Sequence, residues 1–267
     1  MDLHYVIIDP TRNTTLLVTN PVPRDLQPRL AARLLQREPD AEQVGFVERF
    51  ASFPGRLQMM GGEFCGNASM GFAAWLCQQV PVGETRELTL EISGAPQPVA
   101  CSVTTLPDCW LGTVQMPLPE SIQTISFPLE GGQVALPVVC LPGIHHIVVP
   151  AQLLTRQQAE AVIRSWSRQL CAEAVGILLV EESPLHIAPL VYVKPTDTAV
   201  WERGCGSGSA AVGAWLSHRD QADCCVSVRQ PGGTIAVTAH RQEGVLTVLT
   251  ISGTVKLLQE KDVKIFL

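Results

Sequence analysis

Nine cysteines are spread over 267 residues, and two of them keep unusual company. Cys65 opens the run CGNASMGFAAWL and Cys205 opens the run CGSGSAAVGAWL. Six of the twelve positions are identical without a gap: Cys, Gly, Ser, Ala, Trp and Leu. Both runs are apolar nearly all round, the signature of a helix buried on every side. Each cysteine therefore reads as the residue that starts a buried helix. The first N–H groups of a helix have no partner within it, and the aligned peptide dipoles place roughly half a positive charge there. A thiol in that position can have its pKa lowered from ~8.5 into the ~3.5–7.5 range, which puts a thiolate within reach near neutral pH. The same N–H groups can hold a carboxylate, and Gly66 and Gly206 let the backbone come close to it.

Two such helix starts facing each other across a cleft would form an acid and a base on opposite sides of one carbon. One thiolate removes an α-proton and the opposite thiol returns a proton to the other face. The helix ends spread the developing charge. That arrangement needs no electron-sink cofactor, and none is expected. The chain has only four lysines, Lys194, Lys256, Lys261 and Lys264, none in a setting that points to a Schiff base. The Gly-rich stretch at 204–208 lacks the Gly-Lys-Ser/Thr ending of a phosphate loop. The other seven cysteines (Cys77, Cys101, Cys109, Cys140, Cys171, Cys224 and Cys225) read as buried thiols that pack as small apolar residues. An odd count without a Cys-x-x-Cys pair speaks against a disulfide framework and against zinc, and no metal site is expected.

The elements that must position the two cysteines come in two sets, because the matching runs lie about half a chain apart. Alternating residues predict strands over 87–92, 99–104 and 111–116 after the first run, and over 225–229, 234–239 and 245–251 after the second. Helices are predicted over 26–37 and over 156–170, the latter with Thr155 as N-cap. Pro117, Pro119 and Pro128 punctuate the middle. The expected fold is α/β: two pseudo-symmetric duplicated domains, each a curved or barrel-like, mostly antiparallel sheet around a central helix. The first spans 1–119 and the second 120–255, with a last strand over 256–267 returning to the first.

Composition bounds the function. Hydrophobic residues make up 46% and charged residues 16%, an ordinary globular balance. A net charge of −6 without a basic stripe argues against nucleic acid or an anionic membrane as partner. The N-terminus lacks the basic-then-apolar pattern of a secretory signal, and no apolar stretch approaches the ~20 residues that span a bilayer. A cytoplasmic protein is expected.

The segments Glu63-Phe64-Cys65-Gly66-Asn67-Ala68 and Glu202-Arg203-Gly204-Cys205-Gly206-Ser207-Gly208 resemble the two signatures of the diaminopimelate epimerase superfamily. So do Asn13 in the run 9–15, the pair Glu42-Gln43, and the motifs at 231–234 and 251–254. The resemblance covers nearly the whole chain. It implies two-base chemistry at an amino acid without pyridoxal phosphate, a closing cleft and a homodimer. It also implies substrate contacts from Asn13, Glu42, Gln43, Gly66, Asn67, His146, Glu202, Arg203, Gly206 and Ser207. The diaminopimelate enzymes carry a loop between Glu-Arg-Gly and the second cysteine; here Gly204 runs directly into Cys205. Their distal-end asparagines are replaced, one within 57–60 and one near Pro189. The runs 10–18 and 61–68 are closer to the histidine racemase branch, which supplies D-histidine for opine-type metallophores. The resemblance thus implies a cofactor-independent racemase converting L-histidine to D-histidine. Epimerisation of diaminopimelate and a proline-type dehydratase or isomerase on the same scaffold stand as alternatives. A non-catalytic amino-acid-binding module is the fourth reading, and the presence of both cysteines weighs against it.

Several residues carry a plain reading beside the functional one. His146 matches a histidine of the family, but in the apolar strand context Ile144-His145-His146-Ile147 it also reads as a hydrogen-bonded core residue. Metal binding by His145 and His146 together is not expected, because neighbours on a strand point to opposite faces. Asn13 also reads as a turn residue and Glu42 as a solvated loop charge. Arg203 pairs with a carboxylate or braces its loop.

Overall fold

The computed structural model describes residues 1–48 and 55–265. The chain divides into two units. One holds Met1–Gln115 and the chain from Ser252 onward; the other holds Met116–Ile251.

In the first unit, β1 (Asp2–Pro10), β2 (Thr15–Val18), helix α1 (Gln27–Arg37), β3 (Gln43–Glu48), β4 (Arg56–Met59), helix α2 (Gly66–Leu76), β5 (Thr85–Ile92), β6 (Val99–Thr105) and β7 (Trp110–Gln115) follow in order. The strands neighbour one another in that same order, and β7 neighbours the last strand of the chain, β16 (Val245–Lys264). The path then returns on itself, because β16 also pairs antiparallel with β1 from Asp2↔Lys264 to Pro10↔Val255. Most pairs are antiparallel. β2–β3 and β4–β5 are parallel, because a helix carries the chain back across the sheet between them. β1 is buried on both faces. Leu3, Tyr5 and Ile7 pack with Leu30, Ala31 and Leu34 of α1, while Ile8 lies against Gly71 of α2. A strand covered on both sides reads as a continuous apolar run, which is why LHYVII shows no alternation.

In the second unit, β8 (Ser121–Leu129), β9 (Gly132–Leu141), β10 (Ile144–Pro150), helix α3 (Arg156–Ser167), β11 (Ala174–Glu182), β12 (Leu185–Val193), β13 (Thr198–Trp201), helix α4 (Gly206–Asp220), β14 (Cys224–Gln230) and β15 (Gly233–Gln242) lead into β16. The sheet order is β8-β9-β10-β11-β12-β14-β15-β16, with β13 pairing β12 off this path. Here too two pairs are parallel, β10–β11 and β12–β14, again across helices. The duplication is therefore one of topology as well as sequence: an outer helix (α1, α3) and an inner Cys-Gly helix (α2, α4) recur at matching places. Trp166 of α3 is fully buried, stacks on Phe127 at 4.8 Å between centroids, and donates its indole N–H to Pro128 O at 2.8 Å.

The predicted elements need three adjustments. Helix α3 is capped as expected by Thr155, with Gln158 answering it in a capping box, but it ends at Ser167. A turn in which Leu170 N–H donates to Ser167 O takes over there. The final strand is not two pieces, 245–251 and 256–267, but one of twenty residues, Val245–Lys264; residues 266 and 267 lie outside the described residues. Of the other strands that follow each Cys-Gly helix, β5, β6, β14 and β15 run one to three residues past the predicted span at one or both ends, since pairing extends past the alternating core, and β7 is shifted by one residue to Trp110–Gln115. No helix among the described residues is long and apolar enough to cross a membrane.

Candidate active site

Each of the two cysteines is the N-cap of its helix. Cys65 is extended (φ −130°, ψ 109°), and its Sγ accepts the Ala68 N–H at 3.4 Å. Cys205 is extended too (φ −107°, ψ 107°), and its Sγ accepts the Gly208 N–H at 3.2 Å. Sulfur here takes the place of the Ser or Asp oxygen that usually receives an orphan N–H. A serine one turn on repeats the match: Ser69 Oγ donates to Cys65 O at 2.7 Å and Ser209 Oγ donates to Cys205 O at 2.8 Å. Both serines were visible in the sequence as one of the six identical positions.

The chain leading to each helix is held differently. Ahead of Cys65, the Ser93 hydroxyl accepts the Met59 N–H at 2.9 Å and donates to Glu63 O at 2.8 Å. Gly94 beside it has φ +73°, and a Cβ there would lie 2.3 Å from Phe64 N. Ahead of Cys205, the buried Gln230 side chain accepts the Cys205 N–H at 2.6 Å and donates to Ser209 Oγ at 2.8 Å. Neither Ser93 nor Gln230 was singled out from sequence. Gln230 directly precedes the Pro-Gly-Gly-Thr motif, and that adjacency was its only signal.

The small residues on the inner helices let them sit close to the sheets. Gly208 lies against Leu178 of β11 and Gly213 against Val237 of β15, at distances that leave no room for a Cβ. This closeness buries Cys205, which is only 2% exposed, whereas Cys65 is half-buried.

Burial corrects the expectation that both thiols are acidified. It pushes the Cys205 thiol well above its ordinary value, and the Glu202 carboxylate adds to the effect by its charge and by accepting a hydrogen bond from the thiol. Hydrogen bonds from the Ser207 hydroxyl and the Gly208 N–H oppose the shift without reversing it. The helix start is real, but a dehydrated sulfur beside a carboxylate holds its proton. Glu202 reaches Cys205 even though the family's intervening loop is missing. Its own N–H is fixed on Pro189 O at 3.0 Å.

His146 lies on the α4 side of β10 and is fully buried; His145, on the other face, is half-buried. Burial drives the His146 imidazole down to about 3, so it is neutral. Its Nε2 lies 2.9 Å from Ser207 Oγ, and that oxygen lies 3.5 Å from Cys205 Sγ. Cys205, Glu202, Ser207 and His146 thus form one cluster, with Gly206 at its base. Arg203 is exposed, and its carbonyl accepts the Gly232 N–H at 2.7 Å.

In the first unit, Thr11 and Arg12 are both left-handed (φ 55° and 62°) and turn the chain so that Asn13 is buried. Asn13 Nδ2 donates to Glu42 Oε2 at 2.6 Å, and the Glu42 N–H donates to Thr14 O at 2.8 Å. Two of the residues singled out separately in the sequence are therefore in contact, a pairing the sequence did not point to. Asn13 Oδ1 and Gln43 Oε1 are buried acceptors without a hydrogen-bond partner. Gly66 and Asn67 are buried in the first turn of α2. Among the described residues no cluster of His, Cys, Asp or Glu has the makings of a metal site.

This fold is shared with solved structures described as amino-acid racemases and epimerases. It resembles a probable proline racemase from Agrobacterium radiobacter K84 (TM-score 0.73, 16% identity, 99% of this chain and 93% of that one). It also resembles a hydroxyproline epimerase from Agrobacterium vitis (TM-score 0.71, 14% identity, 98% and 91%). The chain belongs to the histidine racemase family, and with it to the racemase class of isomerases: the profile described as "Histidine racemase CntK N-terminal domain" matches residues 2–263. Similar relatives include the histidine racemase of Staphylococcus aureus strain Mu50, 31% identical over 87% of each chain. The histidine racemase of Fusobacterium nucleatum subsp. nucleatum is 30% identical over 98% of this chain and 97% of its own. A diaminopimelate epimerase from Acidiphilium cryptum strain JF-5 is 29% identical over 81% of each.

Proposed function

We propose that this protein interconverts L- and D-histidine by a two-thiol mechanism without a cofactor, supplying D-histidine for metallophore synthesis. The observation that carries the reading is the repeated Cys N-cap, one in each unit, in a chain of the histidine racemase family.

Burial, and Glu202 after it, favours the thiol form of Cys205, so Cys205 is assigned the acid in the resting enzyme and Cys65 the base. The Cys65 thiolate takes the α-proton of one enantiomer. The Cys205 thiol gives its proton to the opposite face, leaving a Cys65 thiol and a Cys205 thiolate. The other enantiomer runs the same steps backward and restores the first state. Substrate carboxylate is assigned to the N–H groups at Gly66, Asn67, Gly206 and Ser207, where helix dipoles favour negative charge. Glu42, held by Asn13, is assigned the imidazole or ammonium N–H groups, with Gln43 beside it. Arg203 is assigned a bracing role at the rim. The family resemblance carries with it a homodimer, which sedimentation of the purified protein tests.

The deciding experiment incubates the protein in D2O with L-histidine, other L-amino acids and diaminopimelate, with no cofactor added, and follows the α-proton by NMR. Loss of the histidine α-proton with appearance of D-histidine supports the reading. Exchange into diaminopimelate alone would assign the parent activity, for which the Acidiphilium cryptum relative supplies the precedent.

A further inference from the structure

Gly176 of β11 stands directly opposite His146 of β10 in the parallel register. The imidazole fills the space where a side chain at 176 would stand: a Cβ there would lie 2.2 Å from Nδ1 and 2.7 Å from Cε1. Nδ1 is buried and has no hydrogen-bond partner. The other ring nitrogen has one partner, Ser207 Oγ at 2.9 Å, and that oxygen is in turn 3.5 Å from Cys205 Sγ.

The position of the ring proton follows from these contacts. With the proton on Nδ1, the ring would bury an N–H donor against backbone with nothing to receive it, a costly arrangement. With the proton on Nε2, only a lone pair is left unmatched. Nε2–H then donates to Ser207 Oγ, which turns the serine's own proton toward the sulfur. We infer that Ser207 is a positioning residue for Cys205: its hydroxyl proton is aimed at the sulfur by His146, whose ring is admitted by the bare α-carbon of Gly176. The inference rests on the racemase reading for its purpose, since a two-thiol racemase must pass Cys205 through both thiol and thiolate. Glu202 and burial favour the thiol. The Ser207 hydroxyl, with the Gly208 N–H, keeps the thiolate within reach.

Glu202 is the charged group acting on this thiol from the preceding loop, and His146 acts from β10 through Ser207. Gln230 from β14 and Ser209 on α4 are neutral and bond the Cys205 main chain. His145 acts on His146 but lies on the other face of β10.

The test compares S207A, S207T and G176A with the parent by ultraviolet titration of the Cys205 thiolate, taken as the difference from the matching C205S protein. The series is repeated in an E202Q background, where loss of the carboxylate brings the ionisation down. S207A should move the Cys205 ionisation alkaline by about tenfold in proton concentration, the worth of one hydrogen bond to a charged group. S207T, which keeps the hydroxyl, should restore it, and G176A should shift it in the same direction as S207A. If S207A ionises like the parent in the E202Q background while its thermal melt is unchanged, the inference is overturned. Should G176A fail to fold, the S207A and S207T pair decides alone. The titration does not depend on turnover, so a parent protein that fails to exchange the histidine α-proton would sink the proposed function and leave this result standing.

Discussion

At the scale of single residues, the two cysteines are alike in position and unlike in setting, and the difference has measurable consequences. Replacing Cys65 or Cys205 by serine should lower histidine racemisation by roughly 10²–10⁴-fold, the usual worth of a general acid or base. The two enantiomers have equal free energy, so kcat/KM must fall equally in both directions. A variant preparation that loses only one direction would reveal a contaminating activity instead. Hydroxylamine and metal chelators should leave the parent rate unchanged, because the proposed step uses only thiols; inhibition by either would count against it. His146 makes a separate prediction about acid. Its folded pKa is depressed to about 3 by burial, below the ordinary value of 6.5. The unfolded chain therefore binds a proton that the folded one refuses. The stability held by a neutral His146 is complete above about 6.5 and drains away as pH falls toward about 3. Urea melts across that window should show a shallower loss for H146Q than for the parent; equal slopes would remove His146 from the account. The residue scale was also where the sequence was most legible. The Cys-Gly repeat marked both helix starts. The state of the Cys205 thiol was not legible, because desolvation depends on Leu178, Gly208 and the sheets packed around them, which lie far apart in the chain.

Elements show why that boundary falls where it does. Helices α1 and α3 were readable because one face of each is apolar at helical spacing: Leu30, Ala31 and Leu34 in one, Ala159, Ile163 and Trp166 in the other. Strands with one covered face were readable by alternation. β1 and β11, covered on both faces, carry no such period and were not marked. Caps and turns offer cleaner tests. T155A removes the capping box of α3 and should cost about 1 kcal/mol, roughly 2–4 °C in Tm, with racemisation unchanged. A pair of glycines separates strain from collision. Gly83 and Gly94 are both left-handed (φ +88° and +73°), but nothing lies within 4 Å of a Cβ at 83, while one at 94 meets the backbone of Glu63 and Phe64. G83A should cost about 1–2 kcal/mol from the dihedral alone. G94A should cost a further ~1–3 kcal/mol and reduce activity, since the backbone it displaces leads into Cys65. Equal melting temperatures for the two variants would mean that the close packing behind Cys65 is relaxed at no cost.

Over the whole molecule, the duplication announced by six identical residues extends to sheet order, to two parallel crossovers per unit and to the serine behind each cysteine. What remained hidden was partnership between distant strands. β4–β5 and β12–β14 touch over only a few residues, Arg56↔Glu91 and Leu57↔Ile92 in one case and His186↔Arg229 in the other. Periodicity within a strand says nothing about such a neighbour. Least visible was that β16 is a single strand serving both units, Val245–Ile251 in the second and the rest in the first. That feature sets an order of events during translation. The second unit has all of its strands once residue 251 has left the ribosome. The first unit, made earlier, still waits for the partner that covers β1. The half encoded first is thus finished last, and a frameshift or premature stop just after codon 251 would injure the N-terminal sheet, not the one beside it in the gene.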